Sequence, residues 1–159
     1  MELDSRKLAL GSVIAALYAM GVMFLAPISF FIFQVRVADA LIPLSIIFGM
    51  PIVLGVTLGN VVANIYGGLG YIDILGGSLA NLLAAYVGWK VGAYKFSGST
   101  FVATIVQNVI VSSIVGSYLA LLFNVPLEMG LLGVMLGSTI SMNILGYALI
   151  LVLRKFRYV

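Results

Sequence analysis

Residues 40–72 read ALIPLSIIFGMPIVLGVTLGNVVANIYGGLGYI and contain no charged side chain. The stretch is too long for one helical crossing of a membrane, which needs about 20 residues. Near its middle stands Gly49-Met50-Pro51, where a continuing helix would lose a backbone donor and clash with its preceding turn. We therefore expect two short helices here, at about 38–49 and 51–66.

The rest of the chain is equally apolar. Of its 159 residues, 63% are hydrophobic and 8% are charged, which is too little polar surface for a water-soluble fold. Backbone groups in hydrocarbon must bond within the chain, and continuous apolar runs without alternation favour helices over a barrel. We expect an all-α integral membrane protein, a bundle of six transmembrane helices in one domain over residues 1–159. The remaining helices are predicted at about 7–28, 72–90, 99–123 and 127–153.

The charged residues predict the orientation of the bundle. With six crossings, seven of the eight basic residues fall on one face, which the positive-inside rule assigns to the cytoplasm together with both termini. These are Arg6, Lys7, Lys90, Lys95, Arg154, Lys155 and Arg157. The outer face receives Arg36, Asp39, Asp73 and Glu128.

Composition also excludes several functions. The chain has no Cys and no His, so thiolate metal sites, thiol nucleophiles and the usual neutral-pH base are missing, and we expect neither an enzyme nor a bound cofactor or metal. No GxxxxGK[ST] phosphate loop is present, so the chain cannot couple ATP hydrolysis to transport by itself. A net charge of +3 reflects membrane orientation and does not indicate nucleic acid.

Polar side chains near the expected outer face are the candidate ligand site. Amides and hydroxyls on several helices could converge on a pocket open to the outside. The candidates are Gln34, Arg36, Asp39, Asn60, Asn64, Tyr71, Asp73, Ser78, Asn81 and Asn108, with Phe31, Phe33 and Tyr66 available beside Tyr71 to cover a flat ligand. Two alternatives stay open: Arg36 and Asp39 could pair with each other, and the amides could simply bond across helices.

A stripe of small residues runs along the first helix. Gly11, Ala15 and Ala19 follow one another at four-residue spacing. Such a stripe lets another helix approach closely, which is consistent with packing inside the bundle or with docking of a separate membrane subunit.

Two stretches resemble a known family. FQVRVADALIPL at 33–44 and GNVVANIYGGLGYIDILGGSLANLLAAYV at 59–87 are similar to the QueT family of queuosine-precursor transporters. That family belongs to the substrate-binding S components of energy-coupling-factor transporters. The shared pattern is an aromatic-rich Q-x-R-x-x-D-A-L, then A-N-x-x-G-G-x-G, then D-x-x-x-G-S-L-A.

The resemblance implies an importer subunit in the plasma membrane of a prokaryote. It would capture a deazaguanine such as preQ0 or preQ1 at the outer face, with Asp39 or Asp73 accepting from the amidine-like edge and Arg36 or an Asn donating to the carbonyl edge. Partners would be a scaffold transmembrane subunit (EcfT) and ATPase subunits (EcfA), the scaffold docking on the small-residue stripe.

Other functions remain as alternatives. Members of the family often carry glutamates in helices 5 and 6. This chain has no glutamate in helix 5 and has Ser138 at the expected position in helix 6. A different vitamin-like substrate is therefore an alternative. A non-transporting structural subunit would use the amides as packing contacts. A small channel would need a continuous polar stripe, whereas the polar residues here are expected in the outer half.

Overall fold

A computed structural model describes residues 4–31, 34–94 and 96–156, and every regular element within those ranges is helical. Three of the expected positions, Phe33, Lys95 and Arg157, lie outside the described residues. The elements are α1 (Ser5–Phe24), α2 (Ala26–Ser29), a 3₁₀ helix (Val37–Leu44), α3 (Ser45–Phe48), α4 (Met50–Gly67), α5 (Tyr71–Ala93), α6 (Ser99–Leu122), α7 (Leu127–Ser138), a π-helix (Thr139–Gly146) and α8 (Tyr147–Lys155).

Five helices in the described ranges are long and apolar enough to cross a membrane, judged by length and composition. They are α1, α4, α5, α6 and the continuous run Leu127–Lys155 that joins α7, the π-helix and α8. The first helix ends at Phe24, earlier than expected, because a separate short helix with Pro27 in its first turn follows.

The segment expected as the second helix has an unusual form. It consists of eight residues of 3₁₀ helix followed by four of α-helix. At about 2.0 and 1.5 Å per residue these span about 22 Å, short of the roughly 30 Å hydrocarbon core. Gly49 ends the segment with φ +67°, a conformation that other residues rarely adopt, and α4 starts at Met50 with Pro51 in its first turn.

Helices α1 and α4 run parallel and in close contact. A Cβ added at Gly55 would lie 2.7 Å from the carbonyl oxygen of Gly11, and one at Gly59 would lie 2.6 Å from that of Ala15. The two helices run in the same direction along this contact, so the residues that connect them must cross back along the bundle. The segment Val37–Phe48 makes that return, and the small residues of α1 are used for packing inside the bundle.

One end of the bundle carries Lys7, Lys90 and Arg154, whereas Arg36 belongs to the polar cluster described below. Trp89 lines two separate cavities, one with Lys7 and the other with Arg154, which places those three side chains at the same end. The ammonium of Lys90 lies 4.5 Å from the centre of the Trp89 indole ring. The polar cluster described next is near the opposite ends of α4 and α5, where only Gly68, Leu69 and Gly70 connect the two helices.

Candidate functional site

Arg36 is the centre of a buried polar cluster. Its side chain is 5% exposed and lies just before the 3₁₀ helix. The guanidinium donates from Nε to the Ser29 carbonyl oxygen at 3.1 Å and from Nη1 to Asn60 Oδ1 at 3.0 Å. Its Nη2 atom lies 3.8 Å from Asp73 Oδ1, and the guanidinium carbon lies 5.2 Å from the centre of the Phe30 ring. Three separate parts of the chain therefore meet at one cation.

Two tyrosines complete the contacts of the two carboxylates. Tyr18 on α1 donates its hydroxyl to Asp39 Oδ1 at 2.5 Å, and Tyr118 on α6 donates to Asp73 Oδ1 at 2.7 Å. The expected alternative, in which Arg36 pairs with Asp39, is not the arrangement found, since the ion pair of Arg36 within the described residues is with Asp73. Each of the two acids therefore has its own tyrosine donor.

The two asparagines of α4 face α5 at Gly77. Asn64 Nδ2 donates to the Asp73 carbonyl oxygen at 2.7 Å. A Cβ added at Gly77 would lie 2.6 Å from Asn64 Nδ2 and 2.8 Å from Asn60 Nδ2. Only a residue without a side chain lets both amides approach the α5 backbone this closely, so Gly77 is part of the cluster although it contributes no polar side-chain group.

Four atoms of this cluster have no hydrogen-bond partner within the described part of the chain. They are two donors, Arg36 Nη2 and Asn60 Nδ2, and two acceptors, Asn64 Oδ1 and Asp73 Oδ2. Unpaired buried groups cost about 1–3 kcal/mol each, more when charged, and native cores contain few of them. Their concentration at one place makes this cluster the candidate ligand site.

The other predicted site residues lie in different surroundings. Ser78 bonds to the Ile74 carbonyl oxygen of its own helix, and Asn81 Nδ2 lies 3.4 Å from the Val56 carbonyl oxygen on α4. Gln34 is buried. Tyr71 is 77% exposed and is not part of the cluster. Asn108 belongs to a second network between α6 and the π-helix, with Ser112, Thr139 and Asn143.

The cluster is closed in this structure. Arg36, Asp39, Asn60, Asn64 and Asp73 are each at most 5% exposed, so the expected mouth open to the outside is not found. The Phe30 ring lies against the Arg36 guanidinium and covers it on one side. The expected covering aromatics Phe31, Tyr66 and Tyr71 are all exposed.

The small-residue stripe of α1 contacts α4 along most of its length. Gly11 and Ala15 approach Gly55 and Gly59, and Ala19 is buried. Gly11 and Ala15 also line an open groove of about 540 Å³ between α1, α3 and α4. The packing interpretation of the stripe is thus observed, and a surface beside it stays open to a partner.

Sequence reasoning missed Tyr18, Tyr118, Ser29 and Phe30. A signal existed for Tyr18, because a tyrosine far from the ends of an apolar helix must bury its hydroxyl with a partner. Tyr118 lies near the end of α6, where an aromatic residue is ordinary, and gave no such signal. Ser29 takes part through its backbone carbonyl, which no sequence pattern reports.

These features define a polytopic helical membrane protein whose bundle contains a polar cluster with unpaired hydrogen-bonding atoms. Within the described ranges, no three His, Cys, Asp or Glu side chains lie close enough together to hold a metal ion. The sequence pattern of the QueT transporter family matches residues 8–155. The chain therefore belongs to the QueT transporter family and is a multi-pass membrane transporter for a small molecule. Neither a curated protein nor a solved structure gives a significant match.

Proposed function

We propose that this chain is the substrate-binding S component of an energy-coupling-factor importer, and that it captures a deazaguanine queuosine precursor such as preQ0 or preQ1. The observation that supports the substrate is the set of four unpaired atoms around Arg36 and Asp73. Membership of the QueT transporter family supports the transport function.

The unpaired atoms match the edges of a deazaguanine. Asp73 Oδ2 and Asn64 Oδ1 would accept from the adjacent N–H groups of the amidine-like edge, and Arg36 Nη2 and Asn60 Nδ2 would donate to the ring carbonyl. Both acceptors and both donors of the protein then gain partners in one binding event. A site built to hydrogen-bond all of these groups rejects an analogue that lacks them, because its own buried atoms are left unpaired.

Entry of the ligand requires the cluster to open. Arg36 and Asp39 lie on or just before the 3₁₀ segment, whereas Asn60, Asn64 and Asp73 lie on α4 and α5. Displacement of the 3₁₀ segment with Phe30 would separate these two groups and admit a planar ligand between them. The closed structure represents the state in which that segment covers the site.

The proposed orientation places the cluster toward the outside of a prokaryotic plasma membrane. Six crossings, with Val37–Phe48 as the short second one, put both termini and the basic end in the cytoplasm. Since the chain has no phosphate loop, energy would come from ATPase subunits acting through a scaffold transmembrane subunit. The proposed docking surface is the open groove beside the stripe, which Gly11 and Ala15 line, whereas Ala19, the third residue of the stripe, is buried.

Ligand binding to the purified full-length chain tests this proposal. We expect saturable binding of preQ0 or preQ1 by isothermal titration calorimetry, weakened at least about tenfold in Asp73→Ala and in Asn64→Ala because each loses a group that contacts the ligand. Glu128→Ala is the matched control, since it removes an exposed acid at the end where α7 begins. Unchanged affinity in both cluster variants would exclude this site.

A further inference from the structure

A second cavity lies at the basic end of the bundle, far along α5 from the cluster. Its volume is about 540 Å³, within the range of about 300–1,000 Å³ usual for small-ligand sites. Its wall contains both apolar and polar side chains. The lining includes Ile46, Trp89, Phe96, Ser99, Thr100 and Arg154.

Helix α6 begins at this cavity. It is 24 residues long and starts after Gly98, with no side-chain cap and no acidic residue in its first turn. The first N–H groups of such a helix have no intrahelical acceptor, and the helix dipole adds partial positive charge there. An anion is the natural partner of this arrangement.

The hydroxyl of Ser99 is a second, independent indication of a ligand. Ser99 is 7% exposed and lines the cavity. Its backbone N–H donates to the Phe96 carbonyl oxygen at 2.9 Å, but among the residues that the structure describes its hydroxyl has no hydrogen-bond partner. Because Ser99 lines the cavity, its hydroxyl can donate to an anion oxygen bound beside the first N–H groups of α6.

Arg154 supplies a full positive charge to the same cavity. Its Nη1 atom donates to Thr100 Oγ1 at 3.0 Å, which ties the end of α8 to the first turn of α6. A guanidinium has five N–H donors and this bond uses one, so further donors remain for an oxyanion. The geometry of a guanidinium suits bidentate contact with phosphate.

We propose that this cavity binds a phosphate group, held by the start of α6, by the Ser99 hydroxyl and by Arg154. The phosphate would come from the headgroup of an anionic phospholipid or from a free phosphate, which share this chemistry. The apolar residues of the wall, Ile46 and Phe96 among them, fit the lipid source. Anionic lipids are recognised by basic pockets at the cytoplasmic side of membrane proteins.

Trp89 is the fluorescent probe for this cavity. It is the only tryptophan of the chain and lines both this cavity and the groove between α1, α3 and α4, so its fluorescence responds when either is occupied. The Arg154→Met variant described below separates the two, because Arg154 lines only this cavity. Purified full-length chain in detergent is titrated with dihexanoyl phosphatidylglycerol, with dihexanoyl phosphatidylcholine and with inorganic phosphate. We expect a saturable change with phosphatidylglycerol and a clearly weaker one with phosphatidylcholine, because the choline group adds a positive charge that is repelled by Arg154.

Two neighbouring basic residues give a matched pair of variants. Arg154→Met removes the charge in the cavity, and Lys155→Met removes the same charge from an exposed position beside it that does not line the cavity. We expect Arg154→Met to weaken binding at least about tenfold and Lys155→Met to change it little. Ser99→Ala removes a second proposed contact with the ligand and leaves the charge of the cavity intact. Unchanged unfolding temperatures show that the variants are folded.

The outcomes separate the two sources. A response to phosphatidylglycerol but not to inorganic phosphate assigns a lipid headgroup, and a response to both assigns a site for phosphate in general. Equal responses to the two lipids, an unsaturable response, or equal affinities in Arg154→Met and Lys155→Met would overturn the proposal.

Discussion

Gly77 is important to the cluster because it has no side chain. Asn60 and Asn64 approach its Cα so closely that a methyl group would displace both amides. The proposed ligand depends on one free atom of each amide, so the position of α5 at this glycine determines the shape of the site.

Substitution of Gly77 by Ala tests that dependence. We expect at least about a tenfold loss of affinity for the deazaguanine, because the added Cβ would overlap both amide nitrogens. Calorimetric titration measures the change. Leu79→Ala, two residues away on the same helix and half exposed, serves as control. A Gly77→Ala protein with the parent affinity would show that the amides do not contact the ligand.

Tyr18 contributes to stability through one hydroxyl. Its donor reaches the buried carboxylate of Asp39 from a different helix. Tyr18→Phe leaves that carboxylate without this donor, and we expect a loss of about 1–3 kcal/mol, seen as a lower unfolding temperature in detergent. The same change at Tyr66, which is 60% exposed, is the comparison. Equal unfolding temperatures for the two variants would contradict the role assigned to Tyr18.

At the scale of elements, the 3₁₀ segment is the part of the fold that connects stability with function. It carries Asp39, follows directly after Arg36, and packs against the π-helix, where Gly146 leaves space for Pro43. A 3₁₀ helix has poorer hydrogen-bond geometry than an α-helix and is rarely this long. A segment with a weaker backbone ladder above a closed site is well suited to move when a ligand enters.

The parallel contact of α1 and α4 sets the distance between Tyr18 and Asn60. Gly59→Val would place a branched side chain against the Ala15 backbone, and we expect a destabilisation of about 1–3 kcal/mol together with weaker ligand binding. Thermal unfolding and calorimetry measure the two effects. Leu58→Val, at an exposed neighbouring position, should leave both nearly unchanged. Lost binding without lost stability would argue against helix separation as the cause.

At the scale of the whole molecule, the chain offers a direct test of its orientation, because it contains no cysteine. Single cysteines at Ser97 and Glu128 lie at exposed positions near opposite ends of α6. In intact cells, a membrane-impermeant maleimide should label Glu128→Cys at once and Ser97→Cys only after permeabilisation. The reverse pattern would invert the proposed orientation, and labelling of both from outside would exclude the six-crossing topology.

Much of the architecture could be read from local sequence. The long uncharged windows predicted the all-helical membrane fold, and the motifs around Arg36, Asn64 and Asp73 indicated the family to which the chain belongs. The site was predicted less completely. Arg36, Asp39, Asn60, Asn64 and Asp73 do meet, but Tyr71 faces outward and Asn108 joins a different network.

Local sequence specifies which segments are helical and apolar, because hydropathy and helix-breaking residues act over a few neighbouring positions. It also determines which polar residues share a face of one helix, through the helical period. The packing of the helices, by contrast, makes Asp73 rather than Asp39 the ion-pair partner of Arg36. It also brings the hydroxyls of Tyr18 and Tyr118 to the two acids. Such contacts depend on the rotation and spacing of helices that are far apart in sequence. Close packing at glycines determines that rotation and spacing.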